Sequence, residues 1–173
     1  NAYLEKDKTA EAEAAFNKLL TRYGKYATTI ARVDDARIGL ARVLTGKKEY
    51  DQAITTLKSF LDNNPRSQAR DAAFIALARA YTEKGDFNDA KQLLEPVAGN
   101  ERSPMRDPAL YLLAELAAKQ GDNARAEKIM QLLFNSARDK DMKNRALFFF
   151  GDLYRRQGNI PKAIEAYRRI KAP

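Results

Sequence analysis

Five alanines, Ala12, Ala53, Ala90, Ala126 and Ala163, stand 41, 37, 36 and 37 residues apart in the same local setting. Four residues after each comes a large side chain: Phe16, Leu57, Leu94, Met130 and Tyr167. Three further on comes another: Leu19, Phe60, Val97, Leu133 and Ile170. Steps of four and three keep these residues on one face of an α-helix. Self-similarity of this kind constrains the fold more than composition does. Each unit must be the same supersecondary element, and an element that small can bury its apolar face only against its neighbours.

A second helix lies upstream of each alanine. Nine residues before it stands Tyr3, Leu44, Tyr81 or Tyr154, with Ala117 as the exception. Three residues earlier sits a small residue, Ala41, Ala78, Ala114 or Gly151, each preceded by Leu40, Leu77, Leu113 or Phe150. Small residues let two antiparallel helices approach at their crossing, and the large ones fill the space to the next hairpin. Between the helices come turn signals: Thr45-Gly46-Lys47-Lys48, Gly85-Asp86-Phe87, Gly121-Asp122-Asn123 and Gly158-Asn159-Ile160. Glycine accepts the left-handed conformation that closes a helix, and Asp or Asn caps the next one. Pro161 is expected in the first turn of its helix, where the missing N–H costs nothing.

This grammar (large–small–aromatic on the first helix, Gly-Asp/Asn at the turn, Ala…large…large on the second) resembles the tetratricopeptide repeat over essentially the whole chain. The resemblance implies an all-α fold, a right-handed superhelical solenoid of antiparallel helix hairpins. It also implies a non-catalytic scaffold that binds a partner protein or peptide on its concave face. The sequence departs from the family pattern in places. A helix-ending proline is clear only at Pro65, the first-helix tryptophan is missing, and the period exceeds the usual length of about 34. The lysine-and-asparagine clamp of chaperone-binding relatives is not evident. More loosely, Asn64-Pro65-Arg66-Ser67-Gln68-Ala69-Arg70-Asp71-Ala72-Ala73 resembles a segment of tetratricopeptide proteins of the bacterial envelope. That likeness implies a periplasmic or outer-membrane assembly. The alternative it carries is the repeat region of a polysaccharide-export protein that contacts glycan or a secreted enzyme.

Along the chain, residues 1–24 read as the end of one first helix plus a complete second helix, and 25–65, 66–99, 100–138 and 139–173 read as hairpins of a single array. The extra residues between Ala12 and Ala53 fall at Lys25–Ala31, as a lengthened helix or a longer loop. Pro96 is expected to kink its helix or end it early. The polar stretch Gly99–Pro108, with two prolines, is the strongest loop signal and a candidate hinge. The whole reads as a segment of a longer protein, whose last helix is expected to pack on further repeats or on another chain.

The chain has no Cys and no His. Thiolate or imidazole metal sites, thiol nucleophiles and His-based triads are therefore excluded. Asp34-Asp35 sits at an expected helix start, where the helix dipole favours negative charge. No enzyme activity, metal or cofactor is expected. The net charge of +8 is spread along a chain that is 31% charged, without a basic block or aromatic-spaced stripe, so nucleic acid is not the expected partner. No apolar run approaches the roughly 20 residues that span a bilayer.

Candidate partner-binding residues lie on the first helices, offset from the core stripe: Ile38 and Arg42; Ile75 and Arg79; Tyr111 and Glu115; Phe148, Asp152 and Arg155. Residues four apart share a helix face. Ile38, Ile75, Tyr111 and Phe148 would form an apolar ladder, and Arg42, Arg79, Glu115 and Asp152 a row whose charge changes sign halfway. Such a groove suits an amphipathic helix or an extended segment with acidic character at one end. The structural alternative is that Ile38 and Ile75 pack against the next hairpin. Phe148-Phe149-Phe150 fan out about 100° apart, so Phe150 fits the core while Phe148 or Phe149 faces the groove or another surface.

Overall fold

The structure, a computed structural model, describes residues 2–23 and 31–170, with side chains from residue 8 and from residue 33 in the two stretches. The long segment expected at Lys25–Ala31 falls almost entirely outside the described residues. Every regular element among the described residues is a helix: α1 (Ala2–Tyr23), α2 (Ala31–Gly46), α3 (Tyr50–Asn63), α4 (Arg70–Lys84), α5 (Phe87–Gly99), α6 (Arg106–Lys119), α7 (Asn123–Ser136), α8 (Lys140–Arg156) and α9 (Ile160–Arg168). Two compact units divide the chain, Asn1–Leu93 and Leu94–Pro173.

In the first unit α1 packs on α2, α2 on α3 and α3 on α4, and α2 also touches α4. Contact with the next helix and the next but one is what stacked hairpins require. The recurrent alanines sit where helices meet: Ala41, Ala53 and Ala78 are completely buried, as are Val33 and Leu57. A Cβ at Gly39 would lie 2.5 Å from Phe16 Cζ, so glycine there admits the ring of α1 against the α2 backbone. Ser67 organises the start of α4. Its Oγ accepts from Ala69 N at 3.1 Å and donates to Asp34 Oδ2 at 2.6 Å. In the second unit α6 packs on α7, α7 on α8, α8 on α9, and α6 on α8. Ala126, Met130 and Leu133 form the fully buried face of α7.

Three of the four turns put glycine in the left-handed position, as expected. Gly85, Gly121 and Gly158 take φ of 102°, 82° and 76°. In the first turn Gly46 is still helical, and Lys48 takes the left-handed position at φ 66°. Asp122 accepts from Arg125 N and Asn159 from Lys162 N, each capping the following helix. Pro161 lies in the first turn of α9 as expected.

Three details differ from expectation. Residues 1–24 do not hold the end of one helix and the whole of another: α1 is continuous, because Leu4–Lys8 offers neither glycine nor proline to break it. Pro96 does not end α5, which runs on to Gly99. It costs one hydrogen bond, to Gln92, in the last turn, and both residues are exposed to water. The Gly99–Pro108 loop is shorter than its composition suggests. Gly99 closes α5 and Pro108 is already in the first turn of α6, where backbone N–H groups have no intrahelical partner to lose.

Candidate functional site

The site belongs to the second unit and is built on α6 and α8. Asp139 starts α8 by accepting from Asp141 N at 3.2 Å and Met142 N at 3.3 Å. The helix buries Ala146, Leu147, Phe150, Gly151 and Leu153. That choice of buried face turns Phe148 outward, 54% exposed, and leaves Phe149 half-buried between the two. The consecutive phenylalanines therefore separate: Phe150 enters the core and stacks with Tyr154 at 6.2 Å, while Phe148 and Phe149 line a cleft.

Behind the cleft, Gly151 gives up its side chain to the Tyr167 ring. A Cβ there would overlap Tyr167 Cε1 and lie 2.5 Å from Cζ. The ring then reaches Phe148 at 5.8 Å, and its hydroxyl donates to Asp152 Oδ1 at 2.8 Å. Arg155 Nη2 donates to the same oxygen at 3.2 Å. The Tyr167 hydrogen bond, followed by those from Arg155, outweighs partial burial and holds the Asp152 carboxyl below its ordinary range. Asp152 is a fixed negative charge at neutral pH.

The cleft encloses about 220 Å³ and is lined by Tyr111, Glu115, Ala118 and Lys119 of α6 and by Phe148, Phe149, Asp152, Leu153 and Arg156 of α8. Tyr111 meets Phe149 edge to face at 6.2 Å. Along each helix the lining advances in steps of four, from Tyr111 through Glu115 to Lys119 and from Phe148 through Asp152 to Arg156. The result is three levels, aromatic, acidic and basic, each contributed by both helices.

Of the residues singled out in sequence, Tyr111, Glu115, Phe148 and Asp152 come together here. Arg155 lies outside the lining but braces Asp152. Ile38 and Ile75 require correction. They are 3% and 8% exposed and offer no apolar strip to a partner. The reason is that α2 and α4 pack on each other, and α4 is buried nearly all round, from Ile75 through Ala78 and again from Ala80 through Thr82. Arg42 and Arg79 are exposed on these helices of the first unit. Lys119 and Arg156 were missed, while Phe149, offered as the alternative to Phe148, lines the cleft beside it. One further step of four from Glu115 and from Asp152 would have found the two cations.

A second cleft of about 180 Å³, on α7, α8 and α9, holds Phe134, Phe150 and Tyr154. Its ring faces are already occupied, with Lys162 5.3 Å from the Tyr154 centroid and Arg169 5.3 Å from that of Phe134. Tyr154 donates to Glu127 Oε1 at 2.6 Å, and burial together with that carboxylate pushes its phenol up to about 12. Among the described residues no cluster of carboxylates could hold a metal ion, and no helix is long and apolar enough to cross a membrane.

Two family profiles match the chain: a tetratricopeptide repeat-like domain over residues 58–172 and a tetratricopeptide repeat over residues 1–68. A candidate kinesin light chain of Podosopora anserina with nearly identical TPR-like repeats superposes with a TM-score of 0.66 at 18% identity, covering 98% of this chain and 88% of that one. A point variant of the same protein superposes with a TM-score of 0.70 at the same identity and coverage. The structure of MamA superposes with a TM-score of 0.61 at 18% identity, covering 95% and 87%. At these identities the likeness is one of fold. No curated protein sequence matches significantly.

Proposed function

The chain belongs to the tetratricopeptide repeat family, and on that premise we propose that its second unit holds a segment of a partner protein in the α6–α8 cleft. Repeats of this family generally mediate protein–protein interaction and are typically non-catalytic scaffolds. The observation that carries the assignment to this cleft is Phe148. A large aromatic residue 54% exposed, beside Tyr111 and Phe149 and above a fixed carboxylate, is an anchor surface of the kind that dominates binding energy. In the first unit Arg42 and Arg79 are the residues we assign to an acidic stretch of the same partner.

The wider setting we propose is a bacterial envelope assembly, on the similarity of Asn64–Ala73 alone. Ser67 within that segment has a local structural role, its bonds to Ala69 N and Asp34, which an array in any compartment would need. The alternative ligand is glycan, stacked on Tyr111 and Phe148.

The test is capture of partners by the full chain and by its Phe148→Ala variant, followed by titration of the captured protein and of oligosaccharides. Phe148→Ala is expected to weaken the partner at least about tenfold, the range of a buried aromatic anchor, while the helical circular dichroism stays unchanged. Partner affinity indifferent to Phe148 refutes the cleft. Shifts of the Tyr111 and Phe148 resonances by glycan, and by no protein, favour the alternative. Unchanged affinity in Arg42→Glu and Arg79→Glu removes the first unit from the interface.

A further inference from the structure

The three levels of the α6–α8 cleft specify more than an apolar anchor. Glu115 and Lys119 on one helix, and Asp152 and Arg156 on the other, put two carboxylates at one level and two cations at the next. Four residues of helix separate successive levels, a rise of about 6 Å. The charges at the two levels cancel, so a uniformly acidic or uniformly basic partner gains at one level what it loses at the other. A partner whose own charges alternate in the opposite sense gains at both.

The cleft, about 220 Å³, takes a partner's side chains rather than its backbone. An extended chain rises about 3.3 Å per residue and turns alternate side chains to one face. Every second residue then falls at the spacing of the levels.

We propose that the cleft recognises an extended peptide carrying, at alternate positions, a large apolar residue, a Lys or Arg, and an Asp or Glu. The apolar residue lies against Tyr111, Phe148 and Phe149. The basic residue lies between Glu115 and Asp152, and the acidic residue faces Lys119 and Arg156. Asp152 suits the middle level because Tyr167 and Arg155 already fix its orientation, at 2.8 and 3.2 Å, so little side-chain freedom remains to be lost on binding. Either chain direction satisfies the order of side chains. This inference rests on the cleft being the partner site and narrows it to one pattern of ligand.

The experiment uses the full chain and four soluble peptides: Phe-Ser-Lys-Ser-Glu, its reversal Glu-Ser-Lys-Ser-Phe, the exchanged Phe-Ser-Glu-Ser-Lys, and Phe-Ser-Lys-Ser-Lys. Each is flanked by Gly-Ser and titrated by NMR against the parent, Phe148→Ala and the Lys119→Glu/Arg156→Glu double variant. One of the first two peptides is expected to bind about fivefold or more tighter than the exchanged peptide, since each charged level at a partly exposed site is worth up to about fivefold. In the double variant the preference should move to Phe-Ser-Lys-Ser-Lys. Binding that Phe148→Ala weakens but that ignores charge order, or an unchanged preference in the double variant, overturns the pattern and leaves the cleft standing as the site. Binding that Phe148→Ala does not weaken, or no binding by any of the peptides, overturns both.

Discussion

The substitution Gly151→Ala tests the packing on which the cleft depends. The new Cβ would lie 2.5 and 2.6 Å from Tyr167 Cζ and Cδ1, about 1 Å inside ordinary carbon–carbon contact. The ring has little freedom to retreat. Its hydroxyl is tied to Asp152 at 2.8 Å, and Phe148 lies against it at 5.8 Å. Overpacking of this kind costs about 1–3 kcal/mol. Alanine in place of glycine inside a helix returns about 0.5–1 kcal/mol. The net expectation is a loss of about 1–2 kcal/mol. At about 2–4 °C per kcal/mol for a chain of this size, the melting temperature should fall by several degrees. In a repeat protein the loss need not spread through the whole chain, so amide hydrogen exchange of α8 and α9 is the more direct readout beside a urea melt. A displaced Tyr167 also loosens its bond to Asp152, and the Asp152 carboxyl should then titrate closer to its ordinary range in an NMR pH series. Replacing Tyr167 with Leu in the Gly151→Ala background should recover part of the lost stability, which separates the clash from any general intolerance of the site. A Gly151→Ala protein as stable as the parent would refute the reasoning, because it would show that the ring can move aside at no cost.

Two further predictions rest on single residues. Tyr154 should ionise late in an ultraviolet titration, near its raised value of about 12, and Tyr154→Phe should remove that step. Because the folded pKa lies above the unfolded one, its stabilising contribution is complete below about pH 10 and is lost as pH rises towards 12. Lys48→Gly should raise stability by roughly 0.5–1 kcal/mol. A left-handed lysine costs about 1–2 kcal/mol, partly offset by the extra freedom glycine has in the unfolded chain; a thermal melt showing no gain would place the strain elsewhere.

The fold was legible because helical periodicity and the Ala positions are local signals that tertiary packing reinforces. Of the five recurrent alanines, Ala53, Ala90, Ala126 and Ala163 are buried and Ala12 is half-buried. What could not be read was how far a helix continues where no residue forbids it. Leu4–Lys8 lies inside α1, Pro96 inside α5 and Pro108 inside α6. A proline near a helix end removes a bond that water can replace, so its position within a turn, which a sequence does not display, decides its effect. The Lys48 turn is a related case. Gly46 carries the obvious turn signal, yet the repeat register puts the left-handed residue two positions later, in line with Gly85, Gly121 and Gly158.

The candidate site divides along the same physical line. Offsetting by a fixed angle from the core stripe finds an exposed face only when the helix has a single buried stripe. For α8 it does, and Phe148, Asp152 and, one turn on, Arg156 line the cleft. For α4 the rule fails. Its alanines and leucine are flanked by Ile75 and Tyr81, and a helix apolar on nearly every side is buried on nearly every side. Composition within each first helix therefore predicts where a partner surface can exist. Arg42, Arg79, Glu115 and Asp152 all keep one turn of their helix open to water. Only where the preceding turn carries Tyr111 or Phe148 is that turn open as well, whereas Ile38 and Ile75 close theirs. By that criterion the recognition chemistry of the second unit is written in its charged residues as much as in its aromatic ones, and variants that exchange those charges are the sharpest probe of it.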